Sequence, residues 1–231
     1  MIISTLEKKY RGFTLVELLV TIAIVATLAA ISVSAILVFR KSADKTVAIS
    51  NMKQIHTANI SYASDHSSRY VSPEETVEGL TVSWWENPEF VSQLKSVEAT
   101  YEAGGTTNVD LPITLMDPAV ASEREIGFDK LAGSYAYNTE GMSAPEGGGA
   151  KRGYTLSLVD DPGRTAAFIT ADFSALGVVN HATAGNISYR HDEKAIVVFY
   201  DGHASTITKA KVSGAQGGAT GAFWDANPND N

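Results

Sequence analysis

Glu17 is the residue whose type and position most strongly indicate a chemical role, because it is the only ionisable residue in the apolar run of residues 13–39. A charged side chain is expensive to place inside a bilayer, and intramembrane ionisable residues therefore mark functional positions. A buried carboxylate is best compensated by a cation held against it, since each charge offsets the desolvation of the other. Glu17 is thus a candidate for an ion pair in an apolar environment.

The run that contains Glu17 is long enough to cross a membrane. Residues 13–39 contain neither glycine nor proline. As a helix they would extend about 40 Å, against a hydrocarbon core of about 30 Å. Basic residues flank the run at both ends: Lys8, Lys9 and Arg11 before it, and Arg40 and Lys41 after it. We expect a single span, with the short N-terminal tail in the cytoplasm and the rest of the chain across the membrane.

A secretory signal peptide is the alternative for this segment. Its apolar region would comprise about 7–15 residues and would end at a cleavage site between small residues. The run here is longer and carries a glutamate near its start. A membrane anchor is therefore favoured.

A second set of candidate residues lies near the C-terminus and consists of His191, Asp201, Gly202 and His203. The Asp-Gly pair separates two runs that are rich in β-branched and aromatic residues. This pattern predicts a β-hairpin with a two-residue type I′ turn, in which both central residues need a positive φ. In that register the facing pairs are Tyr200 with His203, Val198 with Ser205, and Ile196 with Ile207.

Histidine and carboxylate side chains also bind zinc, so His191, Asp201 and His203, together with Asp172, form the alternative of a metal site. Turn formation already accounts for the Asp-Gly pair, and hydrogen bonding at strand ends accounts for the histidines. The sequence has no cysteine and no G-x-S-x-G or H-E-x-x-H motif. We therefore predict a structural role for this set, no catalytic, cofactor or metal site, and no enzymatic activity.

The helix that carries Glu17 is predicted to continue beyond the span, over residues 40–70. A stripe of apolar residues recurs there at spacings of three and four, as in an amphipathic helix. The stripe consists of Ala48, Met52, Ile55, Ala58 and Tyr62, with Lys53, Gln54 and Asn59 outside it. The helix should end between His66 and Tyr70, before Pro73.

Residues 71–231 are predicted to form one β-rich domain. The pattern indicates a turn and a short helix from Trp84 to Leu94, a strand within residues 106–116, and a turn at Asp117-Pro118. Further strands are predicted at residues 133–138, 165–170, 194–200 and 203–208. The net charge of −8 argues against nucleic-acid binding. The absence of cysteine means that no disulfide supports the domain.

The N-terminal residues resemble a known family. Gly12-Phe13-Thr14-Leu15-Val16-Glu17, preceded by basic residues, is similar to the class III signal of type IV pilins and type II secretion pseudopilins. The resemblance implies a leader over residues 1–12, cleavage between Gly12 and Phe13 by prepilin peptidase, and N-methylation of Phe13. It also implies that Glu17 pairs with the N-terminal amine of a neighbouring subunit during assembly.

The same resemblance implies an α+β pilin-like fold, in which a long N-terminal helix packs on an antiparallel sheet. The implied function is that of a structural subunit of a type IV pilus or a type II secretion pseudopilus. Its partners would be prepilin peptidase, other pilin or pseudopilin subunits and the inner-membrane assembly platform. Before assembly, the protein would be anchored in the inner membrane with its C-terminal domain in the periplasm. It would then be assembled into a periplasmic or extracellular filament.

The C-terminal set carries a second resemblance. His191 precedes Asp201 by ten positions, with nine residues between them, which resembles the H-X9-DG region of large prepilin-like proteins. By analogy with some pseudopilins, calcium at Asp160-Asp161 is an open alternative. Two other functions stay open: a minor pilin or tip adhesin, and an exported enzyme or sensor with a pilin-type membrane anchor.

Overall fold

In the computed structural model the chain divides into two compact units, Met1–Ser42 and Ala43–Asn231. The residues that the structure describes are 12–77, 80–94, 99–102, 106–109, 115–121, 133–142, 152–172, 175, 177–213, 221, 223 and 224. The first eleven residues of the predicted leader, and all but the end of the glycine-rich stretch at 144–153, lie outside this part.

Helix α1 comprises Leu15–Asp65 and contains all but the first two residues of the predicted apolar segment. It starts two residues later than the apolar run because Thr14 caps it. In the first unit, every large apolar side chain from Phe13 to Phe39 is exposed. Among the described residues, α1 is the one helix that is long and apolar enough to cross a membrane. These features are consistent with membrane anchoring.

In the second unit, the amphipathic part of α1 buries the predicted stripe. Ala48, Met52, Ile55, Ala58 and Tyr62 are all at most 4% exposed. The prediction for Asn59 is wrong: this residue is completely buried. Its Oδ1 accepts a hydrogen bond of 2.9 Å from the backbone N–H of Val71. A polar side chain lies in the core because it satisfies a buried donor of the chain that returns along the helix.

Helix α1 ends one residue before the predicted range. Ser67 and Ser68 adopt positive φ values of 55° and 62°, which no α-helix contains. The N–H of Ser68 instead donates to the carbonyl oxygen of Ala63 at 2.9 Å. This backward bond satisfies one of the carbonyl groups that the last helical turn leaves open.

The main sheet has five strands: β5 (Tyr135–Asn138), β6 (Ala166–Thr170), β7 (Val178–Val179), β8 (Lys194–Phe199) and β9 (Ala204–Thr208). Their order across the sheet is β7-β5-β6-β8-β9. All pairs are antiparallel except β5 with β7, which is parallel. Two separate two-stranded antiparallel sheets, β1 (Glu74–Val77) with β2 (Leu80–Ser83) and β3 (Ala99–Glu102) with β4 (Thr106–Val109), lie outside this sheet.

Short helices complete the described part: α2 (Pro88–Gln93), α3 (Pro118–Ala121), α4 (Lys209–Ser213) and 3₁₀ segments at Leu156–Leu158 and His181–Asn186. The α+β, pilin-like arrangement of a long apolar N-terminal helix followed by β-sheets is confirmed. The short helix before Leu94 and the strands at 133–138 and 165–170 are also found, with slightly shorter bounds. Of the strand predicted within 106–116, β4 is observed, and residues 110–114 lie outside the described part.

The turn predicted at Asp117-Pro118 is found, and it continues into the short helix α3: the carbonyl oxygen of Asp117 accepts a hydrogen bond of 2.9 Å from the N–H of Val120. Asp117 Oδ1 accepts a hydrogen bond of 3.0 Å from the N–H of Ala119. An aspartate followed by proline at the first helical position is also a helix-start signal. The predicted turn and the start of α3 are thus the same feature.

Both faces of the main sheet are covered. Because strand side chains alternate between faces, Ile196, Val198 and Tyr200 belong to one buried cluster with the amphipathic part of α1. Ala195, Val197 and Phe199 belong to a second cluster on the opposite face, which also contains Phe223 and Trp224. The sheet is thus the centre of the second unit.

The tryptophan pair belongs to the first cluster. Trp84 is fully buried, and its indole N–H donates to the carbonyl oxygen of Gly177 at 2.8 Å. Trp85 lies so close to Gly177 that a Cβ there would come within 2.2 Å of the Trp85 ring. Gly177 therefore has to be a glycine, and the two indoles serve packing.

The predicted register of the β8–β9 hairpin is wrong by one residue. The observed pairs are Lys194 with Thr208, Ala195 with Ile207, Ile196 with Thr206, Val197 with Ser205, and Val198 with Ala204. The loop has three residues, since Gly202 N–H donates to Phe199 O at 2.8 Å and Phe199 N–H donates to His203 O at 3.0 Å. Such a loop needs a positive φ only at its last residue, and Gly202 has a φ of 85°.

Candidate functional site

The N-terminus of α1 is organised by Thr14 and Glu17. The carbonyl oxygen of Thr14 accepts from the N–H of Leu18 at 3.2 Å, and the Thr14 hydroxyl accepts from the N–H of Glu17 at 3.3 Å. In return, Oε2 of Glu17 accepts from the backbone N–H of Thr14 at 2.9 Å and from its hydroxyl at 2.7 Å. This reciprocal arrangement is a capping box.

The capping box gives the Glu17 carboxylate partners within its own chain. The carboxylate lies in the first turn of the helix, where unsatisfied N–H groups and the helix dipole favour a negative charge. Thr14 is a residue of this site that sequence reasoning missed. The T-x-x-E spacing before an apolar run was the signal that would have identified it.

The peptide bond between Gly12 and Phe13 precedes this box. Both residues are exposed, and Phe13 retains 72% of its accessible surface. A Cβ added at Gly12 would meet no atom within 4 Å. Within the described residues, nothing covers this bond.

The C-terminal set divides into two separate pairs. His191 is 4% exposed, and its Nε2 donates to Oδ2 of Asp117 at 2.8 Å. Arg190 forms an ion pair with the same carboxylate oxygen, with 3.5 Å between its Nη1 and Oδ2 of Asp117. Asp117 is completely buried, and both of these partners come from the segment just before β8.

A tight two-residue turn follows His191, whereas the sequence pattern predicts a turn of this kind at Asp201-Gly202. Asp192 and Glu193 have φ values of 54° and 59°. His191 and Lys194 exchange backbone hydrogen bonds of 3.1 and 3.3 Å across them. Two consecutive positive φ values are typical of a type I′ turn, and neither residue is the glycine that usually marks one.

Asp201 and His203 form the second pair, at the other end of β8. Oδ1 of Asp201 accepts from the backbone N–H of His203 at 2.9 Å and contacts His203 Nδ1 at 2.6 Å. Partial burial would raise the pKa of Asp201, but the hydrogen bonds and charge of His203 outweigh it and lower that pKa. The His203 ring stacks on Phe199 with a centroid distance of 4.3 Å.

The structure therefore does not bring the two histidines together. Within the described residues, no three His, Cys, Asp or Glu side chains are close enough together to hold a metal ion. Each histidine has its own carboxylate, and β8 separates the two pairs. Asp117, the partner of His191, is the second site residue that sequence reasoning missed.

Residues 8–33 match the family model of the prokaryotic N-terminal methylation motif. No curated protein and no solved structure matches the chain. The matched segment contains the Gly12–Phe13 bond and the whole capping box. The chain thus carries the prepilin-type signal, which indicates a type IV pilin-like or pseudopilin-like substrate of prepilin peptidase. The signal also implies assembly with other pilins and points to a structural protein.

Proposed function

We propose that the protein is a structural subunit of a type IV pilus or a type II secretion pseudopilus. The observation that carries the proposal is the coincidence of the methylation motif with an exposed apolar helix whose first turn holds a lone carboxylate. An enzyme or sensor would need a binding or catalytic site, and the motif itself supplies none. An anchor alone would not need Glu17.

In this proposal prepilin peptidase cleaves between Gly12 and Phe13, and Phe13 becomes the methylated N-terminus. The new amine would lie one residue before the capping Thr14. The carboxylate of Glu17 then pairs with the Phe13 amine of a neighbouring subunit, so that neither charge is uncompensated in the apolar filament core. The inner-membrane assembly platform would draw the subunit from the membrane, with its C-terminal domain on the periplasmic side.

Intact-mass analysis of protein purified from membranes tests the processing step. We expect a chain that starts at Phe13 and carries one added methyl group. Substitution of Gly12 by a bulky residue should leave the full-length chain, because it changes the residue after which the signal is cleaved. A mature chain that retains Met1, or one cut after Ser32 or Ser34, would contradict the proposal.

A further inference from the structure

His66, directly after α1, joins the end of this helix to α2. Its ring stacks on Tyr62 with a centroid distance of 3.7 Å and an interplanar angle of 3°. Nδ1 lies 2.8 Å from the carbonyl oxygen of Tyr62, and Nε2 lies 2.5 Å from Oε2 of Glu89 in the first turn of α2. The His66 side chain is 31% exposed and that of Glu89 is 67% exposed.

The two partners of the ring decide its protonation. A backbone carbonyl oxygen can only accept, so Nδ1 must carry a hydrogen. A neutral ring would then present the lone pair of Nε2 to the carboxylate of Glu89, and two acceptors at 2.5 Å repel each other. Both contacts are satisfied together when a second proton lies between Nε2 and Glu89.

From this geometry we propose that His66 and Glu89 form a proton-dependent clamp between the end of α1 and the start of α2. The clamp closes when His66 is protonated. It opens when the proton is lost, because the ring then has one donor for two acceptors.

The charges around His66 favour the protonated ring. Glu89 faces it from α2, Asp65 precedes it on α1, and Glu75 of β1 contacts Tyr62 beneath it. Arg69 and Arg152 line the same groove of about 540 Å³, together with Glu74 and Glu75. Burial lowers the pKa of His66, but the hydrogen bonds with Glu89 and Tyr62 and the charges of Glu89 and Asp65 outweigh it, so the pKa lies above the ordinary value.

A raised pKa sets the direction of the pH dependence. The clamp contributes its full stability below the pKa of an unfolded histidine, about 6.5. That contribution is lost as the pH rises through the higher pKa of the folded state. Acidification therefore strengthens the junction.

The clamp acts on α2 and leaves the core intact. Asn87 caps α2 through Oδ1, which accepts from the N–H groups of Glu89 and Phe90 at 3.0 and 3.1 Å. Phe90 and Val91 are completely buried. With the clamp open, these contacts still hold α2 in place, and its first turn opens more often to solvent.

The test uses the full chain in detergent micelles and follows the imidazole signals by NMR from about pH 5 to about pH 9, a range that brackets an ordinary histidine. We expect Glu89→Gln to lower the titration midpoint of His66. The matched control is Glu86→Gln, since Glu86 binds the N–H of Ser83 and does not contact His66. The control should leave the midpoint unchanged.

Hydrogen exchange gives a second measurement. After correction for intrinsic rates, protection of the Phe90 and Val91 amides should fall as the pH rises through the His66 midpoint. His66→Gln should abolish that pH dependence, because glutamine donates without titrating. The same midpoint in wild type and Glu89→Gln would overturn the proposal, and so would pH-dependent protection that persists in His66→Gln.

Discussion

At the scale of single residues, buried histidines in this protein are held by oxygen acceptors from distant parts of the chain. His56 of α1 is 1% exposed, and its Nε2 donates to the carbonyl oxygen of Tyr200 at 3.1 Å. Burial lowers the pKa of His56, against the opposing effects of that hydrogen bond and of Asp201. A neutral His56 thus joins the helix to the end of β8, while His191 joins the start of β8 to Asp117.

The Asp117 site should therefore be more important for stability than any exposed ion pair. Asp117→Ala removes the acceptor of His191 and the carboxylate beside Arg190. Breaking a buried pair by truncating one partner costs about 3–5 kcal/mol. We expect a loss of that size in the free energy of unfolding, measured by urea denaturation of the full chain in micelles.

Asp161→Ala is the matched control for this prediction. Asp161 is 45% exposed and lies 3.7 Å from Arg164 in an ion pair on the surface. Such a substitution should change the free energy of unfolding by no more than about 0.5 kcal/mol. If the two variants proved equally stable, His191 and Arg190 would have to be satisfied without Asp117.

At the scale of elements, β8 is a strand that hydrogen bonds hold at both ends. At its start, the Asp192-Glu193 turn follows His191, whose side chain is hydrogen-bonded to Asp117. At its end, Tyr200 N–H donates to Thr165 O at 3.1 Å and Asp201 N–H donates to Pro162 O at 3.0 Å. A two-residue turn, a six-residue strand and Tyr200 account for the nine residues between His191 and Asp201. We propose that this spacing reflects the length of one strand between two anchored turns.

The turn after β8 should depend on Gly202 for its backbone alone. A Cβ at Gly202 would lie 3.7 Å from the His56 ring, an ordinary contact. The φ of 85° is nevertheless strained for a β-branched residue. Gly202→Val should lower the free energy of unfolding by more than about 1 kcal/mol, whereas Gly202→Asn should cost less because asparagine tolerates this region.

Gly185→Ala is the control for the Gly202 variants. A Cβ at Gly185 meets no atom within 4 Å, and this glycine has no positive φ. Its substitution should be close to neutral in the same unfolding measurement. Equal effects of Gly185→Ala and Gly202→Val would show that the hairpin does not need a glycine at 202.

At the scale of the whole molecule, the two units should respond differently to a change at Glu17. Under the proposed function, Glu17→Ala leaves the methylated amine of the neighbouring subunit uncompensated in the filament core. We expect filament or secretion yield to fall to background, with the processed variant accumulating in the membrane. The unfolding of the second unit should not change, because Glu17 belongs to the first unit.

Asp160→Ala removes an exposed carboxylate from the second unit and should leave filament yield at the wild-type level. Quantifying sheared filaments and membrane-bound subunit in the same cells separates loss of assembly from loss of protein. A normal yield from Glu17→Ala would count against the pairing of Glu17 with a neighbouring amine. It would leave the processing at Gly12–Phe13 untouched.

The sequence by itself determined the features that depend on neighbouring residues. The methylation motif, the apolar segment, the buried stripe of α1 and the positions of β5, β6, β8 and β9 follow from spacing and periodicity over short stretches. The capping box of Thr14 and Glu17 was also present in the sequence, as a T-x-x-E pattern. Local hydrogen bonds and side-chain alternation produce these features, and both depend on residues that are close in the sequence.

Only the tertiary structure decided which distant groups meet. Asp117 lies 74 positions before His191, and no spacing rule relates them. The register of β8 and β9 depends on whether the loop has two or three residues. The three-residue loop pairs Ala195 with Ile207, and both side chains lie in the same buried cluster. Asn59 and His56 are buried because backbone groups at Val71 and Tyr200 need partners there. Burying a polar group costs free energy that a hydrogen-bond partner offsets, and the fold of the whole chain determines where that partner lies.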